Sequence, residues 1–271
     1  MSQALSEQLG QPVIIDNRPG AAGTLGVTIG LQAPADGYTF IWCTPAAQVI
    51  APASVRYDPS KDIAPVSMLV SGAYLLVVNP QHPYQSVDDL IQAARNKPGA
   101  VNYATAGAGT FGHLVGAAFC LSAKLEMTQI PFNGESGAIV GVMSGEVPVG
   151  FISTGGALAH VKSGKLRALG LSSASRIEGV PEDIPLLSSA VPGFSLVAIN
   201  YMGARAGTSP AIIEKMNRAI QAVMAMPSVR ERIVALGVTP SSSTSEELGA
   251  RVTAERARMK NLLQQANITL G

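Results

Sequence analysis

The residues best suited to chemistry lie in a glycine-rich stretch, 102–114, which reads NYATAGAGTFGHL. A short β-like run enters this turn and the turn opens a helix, so several backbone N–H groups lack partners at the positive end of a helix dipole. Such a turn binds an anion without a basic side chain. Gly107, Gly109 and Gly112 also form G-x-G-x-x-G, the pattern of dinucleotide-binding turns. The stretch therefore predicts an anion site, for a carboxylate or for a nucleotide.

The nucleotide interpretation needs an acidic residue about 20 residues beyond the fingerprint, at the end of the second strand, to hold the ribose. Glu126 lies near that distance but precedes the β-like run Met127–Pro131, and Glu135 is displaced into the next turn. The match is partial. An NAD(P)-type oxidoreductase with its dinucleotide on Gly107–Gly112 therefore stays the alternative, and a bound carboxylate is the favoured interpretation.

A carboxylate needs only neutral donors, which Thr105, Thr110 and the N–H groups of Ala106, Gly107 and Gly109 supply. His113 has three interpretations: it fixes the loop by bonding a backbone carbonyl, touches the ligand, or acts as a base.

Three further turns follow other predicted strands and could meet the first, because open α/β sheets bind ligands beyond the carboxyl ends of their strands. They contribute Thr44, the pair Asn133 and Gly134, and the pair Ser153 and Thr154. Each is also compatible with an ordinary polar turn. Tyr201 could bind in a cleft or be a buried core tyrosine.

Composition excludes several functional classes. The 271 residues are 47% hydrophobic and 14% charged, with a formal net charge of +1. This balance argues against a nucleic-acid-binding protein, which needs a basic excess, and against disorder. The sequence contains no G-x-S-x-G, no G-x-x-x-x-G-K-[ST] and no H-E-x-x-H. Neither Cys43 nor Cys120 has a C-x-x-C partner, so we expect no metal site, and whether the two form a disulfide stays open.

Short apolar runs alternate with helical patterns, which predicts an α/β fold with mostly parallel sheets. The predicted strands are Val13–Asp16, Tyr38–Cys43, Val66–Leu69, Leu75–Asn79, Val101–Thr105, Met127–Pro131, Val149–Ser153, Leu166–Ser172 and Leu196–Met202. Helix starts are predicted at Ser86 and at Ser209-Pro210, and a capping box at Thr244 and Glu247.

Several motifs together resemble the Bug (TctC-like) substrate-binding proteins of tripartite tricarboxylate transporters. The run 13–23 resembles the "ENRPGAGG" signature of that family. Further matches follow in chain order: residues 34–39 with "PDGYT", 57–62 with "YDPxKD", 77–80 with "VVNP", 103–113 with "YxSAGxGTxxHL" and 163–169 with "SGKLRAL". Collinear matches along the chain are far more specific than one motif.

The resemblance implies a two-lobed periplasmic-binding-protein type II fold, with residues 1–100 and 207–271 in lobe 1 and residues 101–206 in lobe 2. It implies a periplasmic, monomeric receptor, not an enzyme, that closes on a small di-, tri- or aromatic carboxylate without a cofactor. Its partners would be that ligand and the membrane permease subunits. By this resemblance, residues 105–110 hold one carboxylate, and Thr44, Asn133, Gly134, Ser153, Thr154 and Tyr201 line the rest.

The sequence departs from the family pattern at its start and at two internal positions. Members begin with a signal peptide, a strand and a glycine-rich loop with an aspartate, whereas residues 1–10 resemble the end of the next helix. Phe132 stands where a tyrosine is usual, and Ala35 where a proline is usual. We expect a truncated sequence or a misassigned start codon. A diverged receptor that has lost binding, or a signalling relative, is the third interpretation.

Overall fold

The computed structural model describes residues 1–18, 20, 23–45, 55 and 57–266. The helices are α1 Ser2–Leu9, α2 Thr24–Gln32, α3 Val87–Asn96, α4 Phe111–Ala123, α5 Glu135–Met143, α6 Thr154–Lys162, α7 Pro210–Ala225, α8 Pro227–Ala235 and α9 Ser245–Gln265. The strands are β1 Phe40–Cys43, β2 Ile63–Gly72, β3 Tyr74–Val78, β4 Val101–Thr105, β5 Met127–Pro131, β6 Val149–Ser153, β7 Arg167–Leu171, β8 Ala198–Arg205 and β9 Thr239–Pro240.

The strands form a four-stranded sheet, in the order β1-β8-β2-β9, and a five-stranded sheet, in the order β5-β4-β6-β3-β7. The α/β class is confirmed. Strand direction is a correction to the expected mostly parallel sheets. All pairs of the four-stranded sheet are antiparallel, and parallel pairing is confined to β5-β4 and β4-β6. In the five-stranded sheet, β2 runs through Ala73 directly into β3, so β3 enters without a crossover helix and pairs antiparallel with β6 and β7.

The chain passes between the sheets at Gly72-Ala73, and again between β7 and β8. These points differ from the predicted domain boundaries after residues 100 and 206. The strand β3 belongs to the five-stranded sheet and β8 to the four-stranded one. The division into lobes at residues 100 and 206 stays a prediction.

Most local predictions are confirmed, because the signals are side chains that satisfy helix ends. Ser86 accepts from the N–H of Asp89, and Thr244 accepts from the N–H of Glu247, each in a reciprocal capping box. Strands β4, β5 and β6 have the predicted bounds. The strand expected at Val13–Asp16 is wrong: this segment is not paired with any described strand, and Ile14 is 85% exposed.

Both faces of the five-stranded sheet are covered by apolar clusters. On one face, the ring of Tyr103 packs edge-on against Phe151 and over Gly116, where an added Cβ would overlap the ring. Helix α9 contacts β2 of the first sheet and α4 of the second, and its Met259 is buried in this cluster. The sheets are therefore joined by α9 as well as by the two crossings.

Among the described residues, no helix is both long and apolar enough to cross a membrane. Cys43 and Cys120 are not joined in a disulfide. The part of the chain that the structure describes contains no group of three or more histidine, cysteine or acidic residues placed to hold a metal ion.

Asn217 on α7 is the buried polar residue that ties this helix to the four-stranded sheet. Its Nδ2 donates to the carbonyls of Val66 and Ser243, at 2.7 Å each. We predict that Asn217→Ala lowers the free energy of unfolding by about 1–3 kcal/mol, because the buried Val66 carbonyl loses this donor and the Ser243 carbonyl loses one of its donors. Lys215→Ala, at an exposed position of the same helix, should change it by less than about 0.5 kcal/mol. Chemical denaturation measures both, and equal effects would contradict the prediction.

Candidate functional site

Three helices begin at the same edge of the five-stranded sheet. The strands β5, β4 and β6 run parallel and in register, with Thr105 opposite Pro131 and Ala104 opposite Gly150. β5 and β4 are each followed by a turn and then by α5 and α4 respectively, and β6 leads directly into α6. The positive ends of three helix dipoles therefore lie beside one another, at the edge where open α/β sheets bind ligands.

The loop between β4 and α4 is shaped by two glycines and held by two threonines. Gly107 and Gly109 have φ of 141° and 71°, in the region that favours glycine. The hydroxyl of Thr105 is buried, donates to the Gly107 carbonyl (3.2 Å) and accepts from Nε2 of Gln129 (2.7 Å). The hydroxyl of Thr110 donates to the same carbonyl at 2.8 Å. These hydroxyls hold the loop together, so its free donors are backbone N–H groups.

Two of those donors are unpaired. Among the described residues, no acceptor bonds the N–H of Ala106 or Ala108, which are half-buried and exposed respectively. The first N–H groups of α4, from Phe111 onward, also lack intrahelical acceptors by the geometry of a helix start. Thr110, at the N-cap, donates its side chain backwards and does not cap them. The loop therefore offers an anion backbone donors and needs no basic side chain for this.

His113 fixes this loop, but through a different partner from the one expected. Its Nδ1 accepts from the Gly109 N–H at 3.3 Å, whereas the sequence suggested a bond to a carbonyl. This acceptor role requires Nδ1 without its proton. Burial agrees with that state, because it lowers the pKa of His113 below its ordinary value of 6.5. A direct contact between His113 and a ligand stays a prediction.

The turn with Asn133 and Gly134 adjoins the loop. The Gly134 N–H donates to the Ala106 carbonyl at 3.1 Å, and the Phe132 N–H donates to the Thr105 carbonyl at 3.0 Å. Asn133 and Gly134 are both exposed. The two turns thus form one continuous rim over the ends of β4 and β5.

The turn expected at Ser153 and Thr154 is instead a direct junction, with Ser153 ending β6 and Thr154 beginning α6, and a carboxylate of the protein is bonded there. Glu135 accepts from the Ser153 N–H (2.8 Å) and from the Ser153 hydroxyl (2.9 Å). The same hydroxyl accepts from the N–H of Gly156 in the first turn of α6. Sequence reasoning considered Glu135 only as a ribose acid and missed this contact. The sequence did contain a signal for a helix start, namely an acidic residue directly after Asn133-Gly134. Acidic residues are favoured in the first turn of a helix.

Thr154 lies where the two sheets meet. It is buried, and its N–H donates to the carbonyl of Ala73 at the first crossing between the sheets. Its Cβ lies 3.4 Å from the position of a Cβ added to Gly237, beyond α8. Among the described residues, its hydroxyl has no hydrogen-bond partner. Contact with a ligand stays a prediction for Thr154 and for Ser153.

Thr44 and Tyr201 belong to the other sheet. Tyr201 on β8 pairs with Cys43 on β1, directly before Thr44, and is 1% exposed within a buried cluster. Burial, together with Cys43, raises the pKa of Tyr201 above its ordinary range. The structure therefore places Tyr201 in a core, while the ligand roles of Thr44 and Tyr201 stay predictions.

The acidic residues do not fit a dinucleotide site. Glu126 precedes β5, at the opposite edge of the sheet from the glycine-rich loop, and its carbonyl accepts from Gly99. Glu135 lies at the correct edge, but in the first turn of α5 and not at the end of β5, where the dinucleotide pattern requires the acid. Neither carboxylate is placed to hold a ribose beside Gly107 and Gly109.

Two α/β sheets joined by two crossings, with three helix starts at one edge of one sheet, are the architecture of a two-lobed periplasmic binding protein. Residues 1–268 match the family described as "Tripartite tricarboxylate transporter family receptor". The chain belongs to this family, which confirms the resemblance seen in the sequence motifs.

Individual relatives agree with this assignment. The chain is 30% identical to Protein BugT of Bordetella pertussis, over all of this chain and 84% of that protein. It is 28% identical to the structure of R. palustris Rpa4515 with adipate, with a TM-score of 0.91 over 99% of this chain and 91% of that one. It is 27% identical to MatC from Rhodopseudomonas palustris with bound malate, with a TM-score of 0.85 over 97% and 91% of the two chains. The expected two-lobed fold is thereby confirmed.

The buried hydroxyl of Thr105 should be needed for the shape of the loop. We predict that Thr105→Val lowers the free energy of unfolding by about 1–3 kcal/mol, because Gln129 and the Gly107 carbonyl lose a partner. Hydrogen exchange of the amides of residues 106–110 should become faster. Thr128→Val makes the same change at an exposed position of β5 and should have little effect. Unchanged exchange in Thr105→Val would contradict this role.

His113 should make stability depend on pH. Since its folded pKa is lowered, its contribution is complete above the unfolded pKa of about 6.5 and is lost as the pH falls through the folded value. His113→Asn keeps an acceptor but cannot titrate. We therefore predict that the melting temperature of the wild type falls more steeply than that of His113→Asn from about pH 7 to about pH 5. Burial also lowers the pKa of His82, but His82 is common to both proteins. Parallel pH profiles would contradict the prediction.

Proposed function

We propose that this protein is a periplasmic receptor that captures a small organic carboxylate between its lobes and delivers it to the membrane permease subunits of a tripartite tricarboxylate transporter. The ligand is a di- or tricarboxylate or an aromatic carboxylate. The protein acts as a monomer, uses no cofactor and catalyses no reaction. Family membership supports receptor function, and the adipate and malate of two related structures support a carboxylate ligand.

The unpaired N–H groups of Ala106 and Ala108, beside the start of α4, are the observation that carries this proposal. Each charge-assisted hydrogen bond from such a donor to a carboxylate contributes about 1.5–3 kcal/mol. The donors are fixed in place by Thr105, Thr110 and His113 before any ligand binds. Such preorganisation reduces the ordering that binding must impose on the loop.

The lobe that contains the four-stranded sheet would complete the site by closing over the bound carboxylate. Thr44 follows β1 of the four-stranded sheet. Gly23, at the start of α2, lies against Thr44, because a Cβ added to Gly23 would be only 3.1 Å from Oγ1 of Thr44. Hinge closure around a ligand uses a few residues at the connections between lobes. Gly72 and Ala73 occupy one such connection, beside Thr154.

Ligand binding to the purified chain tests the proposal. Isothermal titration calorimetry against succinate, malate, adipate, citrate and benzoate should identify a carboxylate that binds. At about 100 times its dissociation constant, this ligand should stabilise the fold by about 2.7 kcal/mol. NAD⁺ serves as the negative probe. Binding of NAD⁺ with no response to any carboxylate would overturn the proposal.

A loop variant tests whether residues 105–110 form the site. Gly109 and Gly164 both have φ of 71°, but Gly164 lies beyond the end of α6 with open space around it. Alanine strains the backbone by about 1–2 kcal/mol at either position. We predict that Gly109→Ala weakens carboxylate binding by at least about tenfold, and that Gly164→Ala leaves it unchanged. Equal affinities in the two variants would exclude this loop as the site.

A further inference from the structure

Glu135 lies at the edge of the candidate site, where hydrogen bonds hold its carboxylate in place. Its carboxylate accepts the N–H and the hydroxyl of Ser153. A Cβ added to Gly156 would overlap Oε2 of Glu135, so the backbone in the first turn of α6 approaches the carboxylate closely. Residue 135 follows Gly134, whose N–H is bonded to Ala106 in the anion-binding loop. This carboxylate and that loop therefore lie on adjoining turns.

The negative charge of Glu135 has no matching cation in the part of the chain that the structure describes. No ion pair within 4.0 Å joins it to a lysine, arginine or histidine there. Its electrostatic influence reaches Tyr74, whose pKa is raised by burial first and by Glu135 second. The ring of Tyr74 packs on Phe111 and lies against Gly112, in the first turn of α4. Glu135 therefore acts on a side chain that packs against the first turn of α4.

Glu135 also changes what the three helix starts can bind. It stands at the first position of α5, and its carboxylate fills the start of α6. Two of the three dipole ends at this edge therefore already face an anion of the protein, and α4 alone is left for a ligand carboxylate. A second ligand carboxylate nearby would face a like charge, whereas an ammonium group would face an opposite one.

We propose that Glu135 selects carboxylate ligands that carry an ammonium group, by pairing with that group while the loop of residues 105–110 holds the ligand carboxylate. This inference rests on the proposed function and narrows its ligand class from plain carboxylates to amino acids. Glu135 acts on specificity, and the loop supplies the affinity for the anion.

Two ligand pairs test the selection in the wild-type chain. Aspartate differs from succinate by an added ammonium group, and 4-aminobutyrate differs from glutarate by an ammonium in place of one carboxylate. Calorimetry should show that at least one aminated ligand binds at least about tenfold more tightly than its plain partner. Plain ligands that bind as tightly as their aminated partners in both pairs would overturn the inference.

A pair of charge-removing variants assigns the selection to this residue. Glu135→Gln keeps the size and an acceptor for the Ser153 N–H but removes the charge. Glu146→Gln makes the same change at an exposed position beyond the other end of α5. We expect the ratio of aminated to plain affinity to fall at least about tenfold in Glu135→Gln and to stay within about twofold in Glu146→Gln. An unchanged ratio in a folded Glu135→Gln would overturn the assignment.

The outcomes separate this inference from the proposed function. If plain dicarboxylates bind well and aminated ligands do not, the receptor function stands and the role of Glu135 is excluded. If neither pair nor any carboxylate of the wider panel binds, both proposals fail. The wild-type ratio is measured without a variant, so a Glu135→Gln protein that does not fold would still leave the inference tested.

Discussion

The arrangement of this site depends on one constraint, the parallel registration of β5, β4 and β6. Parallel strands end at the same edge, so the helices that follow them must begin there too. As a consequence, this edge contains the unpaired N–H groups of Ala106 and Ala108, the start of α4, and the start of α6, where Glu135 is bonded. The antiparallel strands β3 and β7 cannot contribute such helix starts, but β3 brings Tyr74 and the crossing at Ala73 to the same place, opposite Ser153.

This proximity links the candidate site to the connections between the lobes. The N–H of Thr154 bonds the carbonyl of Ala73, so the start of α6 is attached directly to the crossing. Farther away, α9 packs on β2 of one sheet and α4 of the other. A ligand carboxylate at the start of α4 would therefore contact a helix that packs against α9, the helix in contact with both sheets. Closure of the lobes would move elements that the binding edge already touches.

Local sequence signals predicted the pieces of the fold better than their arrangement. The bounds of β4, β5 and β6 and the two capping boxes followed from apolar runs and from side chains that satisfy helix ends. The antiparallel pairing of β3 did not, because its direction depends on where the strand pairs after a connection as short as Ala73. For the site, Gly107 and Gly109 identified the loop by their backbone requirement. Glu135 was missed, because its partner Ser153 is eighteen residues away and lies beside it only through the parallel sheet.

Glu135 and the β4–α4 loop illustrate two ways of satisfying a helix start. At α6, the anion is the Glu135 carboxylate of the protein itself. Its binding costs no translational entropy and stabilises the fold whether or not a ligand is bound. At α4, the anion must come from solution, and the donors stay available because Thr105 and Thr110 turn their hydroxyls inward to the Gly107 carbonyl. A protein that needed only stability would cap both helices with its own side chains. With one helix start filled internally and its neighbour left open, this edge would combine a place for one carboxylate with a fixed negative charge beside it, and the proposed selection of ligands by charge follows from that combination.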